Sequence, residues 1–228
     1  MFRFEATLRV VPAVQNNERL PQKRRVPTQA RSRRRVEAIL DAADRLVAEV
    51  GVEETSTRAI AEAAGIPVAS LYQYFGQKED VLLALAARDM AEMDEQVLTD
   101  LAALPELTVA ALVASVMDSF VAVYRRRPAF VQIYLRGRTN ASVHEFGRDH
   151  NRRVAAMLRD FAADAGLTEP DFPLTAALLA VEAGDRVFQL AYADSETGDA
   201  DLIAEGCSMV TRYLEPFATE AGRAGIPQ

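Results

Sequence analysis

The chain has 228 residues, half of them apolar, which suffices for a sizeable core in one large domain or two small ones. A single cysteine, Cys207, excludes an intramolecular disulfide, and no apolar run approaches the ~18 residues of a membrane-spanning helix. The net charge of −7 hides an asymmetry: residues 1–78 carry 13 Lys and Arg against 9 Asp and Glu, whereas the remainder carries 13 against 24.

Met1–Val14 lacks the basic start, unbroken apolar middle and small-residue cleavage site of a signal peptide, so a cytoplasmic protein is expected. Residues 1–28 show no sustained period and include Pro12, Pro21 and Pro27, which predicts a mobile arm. From Lys23 to Arg35 seven Lys or Arg meet no acid, the mark either of a polyanion-binding end or of a solvated tail. Arg31, Arg33, Arg34 and Arg35 are expected to precede the first helix.

Helical order then begins. Val36, Ile39, Leu40, Ala43, Leu46, Val47 and Val50 recur in steps of three and four, and Gly51 is placed to end that helix. Ser56 is a suitable N-cap for a second helix carrying Ile60, Ala61 and Ala64 and closed by Gly65. Pro67 opens a third, Val68–Phe75, because a first-turn residue has no helical N–H partner to lose. A fourth carries Val81, Leu82, Leu85 and Ala86. Further helices are predicted over 108–127, 129–136, 142–165, 174–193 and 199–218, with breaks at Pro128, Gly166 and 195–198. No alternating segment suggests a sheet, so the class is all-α. A helix-turn-helix domain over 29–80 and a larger helical domain over 81–228 follow the arm.

Between Thr57 and Phe75 the residues have the layout of a helix-turn-helix. Ala61 permits close helix crossing, Gly65 turns the chain, and Ile60, Ala64, Ile66 and Leu71 face the first helix. Val68, Ala69, Ser70, Tyr72, Gln73 and Tyr74 are left largely outward on a short element sized for a major groove. An ordinary αα-corner uses the same Ala and Gly.

The string Thr57-Arg58-Ala59-Ile60-Ala61-Glu62-Ala63-Ala64-Gly65, followed by Leu71-Tyr72-Gln73-Tyr74-Phe75 and Lys78, resembles the TetR (tetracycline-repressor) family over roughly residues 33–86. The resemblance implies a DNA-reading element within Val68–Phe75 and a homodimer on palindromic double-stranded operator DNA. It also implies a variable C-terminal bundle for ligand binding and dimerisation. Tyr72 and Lys78 then correspond to phosphate contacts. Thr57 and Arg58 start the second helix near the backbone, Ser70 and Tyr74 reach base edges or phosphate, and Val68 and Ala69 meet a thymine methyl. This chain departs from a common family form at Val68 and Ala69, where Lys and Gly often stand, and at Pro67, where Ser is frequent.

Around Pro128 lie Met117, Phe120, Tyr124, Phe130, Ile133 and Tyr134. With Met157, Phe161 and Phe188 they are, as the resemblance implies, the expected wall of an effector cavity, the alternative being plain bundle core. The effector is expected to be small and apolar, and a positive charge on it would suit the acidic body. The last two predicted helices, with Ala177, Ala180, Gly184 and Gly206 among their apolar residues, suit close packing; the resemblance implies that they form a four-helix dimer interface, the alternative being an intramolecular core. His144 and His150 are six apart and do not share a helix face, so no metal site is read there and a solvated surface is expected. Cys207 reads as a packed small residue. No cofactor or catalytic motif appears. The expected function is a ligand-responsive repressor rather than an enzyme; a helical enzyme or a helical adaptor without DNA binding are the alternatives.

Overall fold

Gly51, at φ 86° and ψ 168°, ends the first straight helical run in a conformation that only glycine adopts freely. The Thr55 hydroxyl donates to its carbonyl at 2.7 Å. This computed structural model describes residues 30–137 and 141–224, together with the backbone of 226–227. The expected arm over 1–28 lies outside the described residues.

Helix α1 spans Ala30–Glu54, so it begins before Val36. Arg31, Arg33, Arg34 and Arg35 therefore occupy its first turns instead of preceding it; Ala and Arg are strong helix formers and need no apolar period to extend a helix. Val36, Ile39, Leu40, Ala43 and Val47 form its buried stripe, whereas Val50 is exposed. Helix α2 (Thr57–Ala63) starts at Ser56, whose hydroxyl accepts from Ala59 N at 3.2 Å, the expected N-cap. Helix α3 is only Val68–Leu71. Beyond it the bonding tightens, with Gln73 N donating to Ser70 O at 3.3 Å, so Tyr72–Tyr74 form a turn rather than a second helical turn.

Helix α4 runs unbroken from Lys78 to Ala102, and α5 from Val109 to Arg126. Pro128 breaks α5 and opens α6 (Pro128–Phe130), which passes into a π-helical turn over Val131–Leu135. Helices α7 (Ala141–Asp164), α8 (Leu174–Ala191), α9 (Ala200–Leu214) and α10 (Glu220–Ala224) complete the order. One pairing was not legible beforehand: β1 (Glu106–Leu107) meets β2 (Ile226–Pro227) antiparallel for two residues.

The chain divides into two units. Residues 30–90 form one with Arg126–Gly147, and Ala91–Arg125 form the other with residues 148–224. The division thus falls inside α4, about one helical stretch beyond the 80/81 boundary expected from sequence. In the second unit Val97, Leu101, Leu107, Leu112 and Leu167 form a buried cluster. Helices α8 and α9 pack closely there, since a Cβ on Gly206 would sit 2.4 Å from Val187 Cγ1. No helix among the described residues is long and apolar enough to cross a membrane.

His150 corrects an expectation. It is 4% exposed, with Nε2 2.8 Å from Asp94 Oδ1, because α7 turns it inward rather than toward solvent. His144 Nε2 lies 2.6 Å from Gly137 O.

Candidate nucleic-acid interface and ligand cavity

The buried side of the helix-turn-helix explains its exposed side. Ile60, Ala61, Leu71 and Phe75 are fully buried, which fixes α2 and α3 in rotation. Ala69 and Gln73 are thereby left exposed, Val68 and Ser70 half-buried, and Tyr72 41% exposed. Thr57 Oγ1 and Tyr72 Oη are 3.1 Å apart, so the start of α2 and the end of the α3 turn present one continuous polar edge. Arg58 is exposed beside them.

Tyr74 departs from the expected contact set. It is 9% exposed, because residues 71, 74 and 75 share the inward face of this short turn. Its hydroxyl lies 3.4 Å from Ser32 Oγ, which brings the first turns of α1, with exposed Arg31, Arg33 and Arg34, beside the reading segment. Sequence periodicity had no means of finding this contact across 42 residues. Lys78 opens α4 and donates to Val52 O at 3.0 Å. An ammonium has three N–H donors, so two remain for another anion or water. Asp80 Oδ2 accepts from Gly76 N and Gln77 N at 3.0 and 3.2 Å and caps the same helix start.

Beneath this surface lies an ionic cluster. Arg88 Nη1 is 2.7 Å from Asp41 Oδ1, and Arg127 Nη1 is 3.4 Å from Asp44 Oδ2. Asp89 is fully buried, 3.4 Å from Arg88 Nε and 3.9 Å from Arg127 Nε. Burial pushes its carboxyl up from 3.8 to about 6, with Asp44 adding to the rise and Arg88 and Arg127 opposing it.

The second unit holds a cavity of about 790 Å³, its open mouth included, between α5, α7, α8 and α9. Of the nine residues expected to line it, Met117, Phe120 and Phe188 do. Phe120 and Phe188 stack with centroids 5.7 Å apart. Tyr124 is buried behind them, edge-on to Phe188 at 5.3 Å. Met157 and Phe161 pack against the neighbouring apolar cluster. Phe130, Ile133 and Tyr134 are corrected outright: they are core residues of the other unit, where Phe130 and Tyr134 stack at 5.4 Å. Sequence reasoning missed Val113, Leu158, Phe172 and two charged wall residues, Arg159 and Asp185.

Helices α8 and α9 also carry an unusual surface. Leu174, Leu179, Leu190, Leu202, Met209 and Tyr213 are six of the eight large apolar side chains most exposed among the described residues. Such concentration on adjacent helices marks an interaction surface. Among the described residues no group of three or more His, Cys, Asp or Glu is arranged to hold a metal ion.

Comparison with known proteins agrees with this architecture. Residues 39–85 match the tetR family of bacterial regulatory proteins, and residues 108–214 match the tetracyclin repressor-like C-terminal domain. The HTH-type transcriptional repressor AcnR of Corynebacterium glutamicum is 42% identical over 59 residues, 26% of this chain and 31% of that protein. The fatty acid metabolism regulator protein of Bacillus subtilis is 35% identical over 63 residues, 28% of this chain and 32% of that one. This chain thus spans about a third of the length of these two relatives. A TetR-family regulator from Streptomyces coelicolor aligns with TM-score 0.66 and 31% identity, over 80% of this chain and 99% of its own. The chain belongs to the TetR family of bacterial regulatory proteins.

Proposed function

We propose that this protein is a ligand-responsive transcriptional repressor, a homodimer that grips palindromic operator DNA and releases it when a small apolar molecule fills the α5–α9 cavity. The observation that carries this reading is the exposed edge of Ala69, Tyr72 and Gln73, joined by half-buried Thr57, over a fully buried Leu71 and Phe75, flanked by the arginines of α1. Tyr72, Lys78, Thr57 and Arg58 act mainly on phosphate and set orientation; Val68, Ala69, Ser70 and Gln73 face the base edges. The exposed apolar residues of α8 and α9 supply a self-complementary surface, which fits a two-fold dimer and hence an inverted-repeat site. Repression is the role named for the AcnR relative, and the cavity supplies a place for a releasing effector. The protein works in the cytoplasm and is not an enzyme.

Selection of bound duplexes from random DNA tests the reading. Recovered sequences are expected to share two inverted half-sites, and recovery of unrelated sequences refutes operator binding. Titration of hydrophobic compounds against the resulting complex tests release: a compound that binds in the cavity is expected to lower operator affinity by favouring a state with mismatched half-site spacing.

A further inference from the structure

We infer that the cavity takes an effector with no charged group, rejecting carboxylates and amines alike; the inference rests on the cavity being the effector site and names the class of molecule it admits. Val116, Leu158, Val181 and Val210 bring branched aliphatic surface to it from α5, α7, α8 and α9. Phe120 and Phe188 add two stacked rings. The surface turned to the cavity is almost wholly carbon. Each methylene that a ligand buries there adds affinity, whereas a polar atom meets few partners.

Three wall residues, Arg159, Thr168 and Asp185, carry polar side chains, and none offers a free polar group to a ligand. Asp185 is only 9% exposed; Gln189 Nε2 donates to its Oδ2 at 2.8 Å, and Asp185 is engaged beyond that bond as well. Arg159 Nε donates to Asp160 Oδ1 at 2.9 Å, so its guanidinium is already matched by a carboxylate. The Thr168 hydroxyl is buried with almost no accessible surface. A carboxylate or an ammonium entering this space would give up its hydration and gain no counter-charge, a penalty that burial of its chain does not offset. The sign of the charge makes no difference to that cost, so the positive charge suggested by the acidic body is not matched inside. A hydroxyl or ester end loses far less hydration. An acid enters only in its neutral form, and its apparent affinity then follows its own titration.

Calorimetric titration with octanol, octanoate and octylamine at pH 7 compares three ends on one chain. Octanol is expected to bind at least about tenfold tighter than either ion. Octanoate is expected to gain about tenfold between pH 7 and pH 6, as its neutral fraction grows in proportion, while octanol affinity stays level. Either ion binding as tightly as octanol, or octanoate affinity that ignores this pH step, overturns the exclusion of charge and leaves the cavity reading standing. Gly184→Leu and the milder Ala180→Val narrow the cavity, since a Cβ at Gly184 meets only Met117 Sδ, at 3.7 Å, and Ala180 is a wall residue. Octanol is expected to lose affinity in both, with circular dichroism certifying that each variant folds. No octanol binding to wild type, or binding indifferent to both substitutions, overturns the cavity reading and the exclusion of charge together.

Discussion

The Tyr72 hydroxyl and Thr57 Oγ1 lie 3.1 Å apart, joining two helix ends fifteen residues distant in sequence. If both groups hold phosphate, they do so as a pair, and their losses are not independent. Tyr72→Phe and Thr57→Val are each expected to weaken binding to operator and random DNA alike. The double variant is expected to lose less than the sum, with a coupling of about 0.5 kcal/mol or more. Fluorescence anisotropy on the four proteins measures this; strictly additive losses show two separate roles.

Lys78 is expected to separate positioning from reading. Lys78→Ala should lower the slope of log affinity against log salt by roughly 1 per half-site, equally on specific and random DNA. Loss of its bond to Val52 O should also cost about 1 kcal/mol of stability. Ser70→Ala should instead alter preference among operator variants, by about 1 kcal/mol for one base contact. A salt slope untouched by Lys78→Ala means the motif sits on DNA in another orientation.

Packing of α8 on α9 depends on the absence of a side chain at position 206. Gly206→Ala places a methyl 2.4 Å from Val187 Cγ1, so the helices must separate or Val187 must move. Overpacking of this kind costs roughly 1–3 kcal/mol. Denaturant unfolding should show the loss. Sedimentation should show weaker dimerisation than in wild type, whereas Leu179→Arg, at a 59% exposed position, should weaken the dimer without destabilising the protomer. A Leu179→Arg protein that remains fully dimeric places the interface elsewhere.

The Asp89 carboxyl gives a pH signature. Its native value of about 6 exceeds its ordinary 3.8, so the folded state holds the proton more tightly. The stability this contributes is fully present below about pH 4 and is lost as pH rises through about 6, a span of about 3 kcal/mol. Wild type, measured against Asp89→Asn by urea unfolding, should therefore become relatively less stable from about pH 4 to pH 7 and then level off. A flat difference across that range shows that folding does not raise the Asp89 carboxyl above its ordinary value.

Features that depend on adjacent residues were legible in the sequence. Ser56 caps α2, Gly51 ends the straight run of α1, and Pro128 breaks α5, each through its own backbone chemistry. The helix-turn-helix was legible because Ala61, Gly65 and the Leu-Tyr-x-Tyr-Phe string fall within one short window. Arg31–Arg35 were misread because a polar run carries no apolar period, and only the structure shows it continuing a helix supported at Val36. Tyr74 was misread because an aromatic residue suits either face of a short turn.

The cavity was the least legible part. Nearness to Pro128 in sequence grouped Phe130, Ile133 and Tyr134 with Met117 and Phe120, yet the chain carries them into different units. A cavity is defined by space that side chains from distant segments leave unfilled. Arg159 and Asp185, on separate helices, could be recognised as wall residues only once those helices were placed.

The bond from Lys78 Nζ to Val52 O bears on the cost of docking as well as on charge. A free lysine loses roughly 1.5–2 kcal/mol of rotamer entropy when it is immobilised. Here much of that freedom is already gone in the folded protein, because one N–H is tied to the backbone of the last turn of α1. A phosphate meeting this ammonium would find it held in place. The attraction is then offset by less ordering than at a freely rotating surface lysine, so Lys78 should contribute more affinity per unit of charge than the arginines of α1.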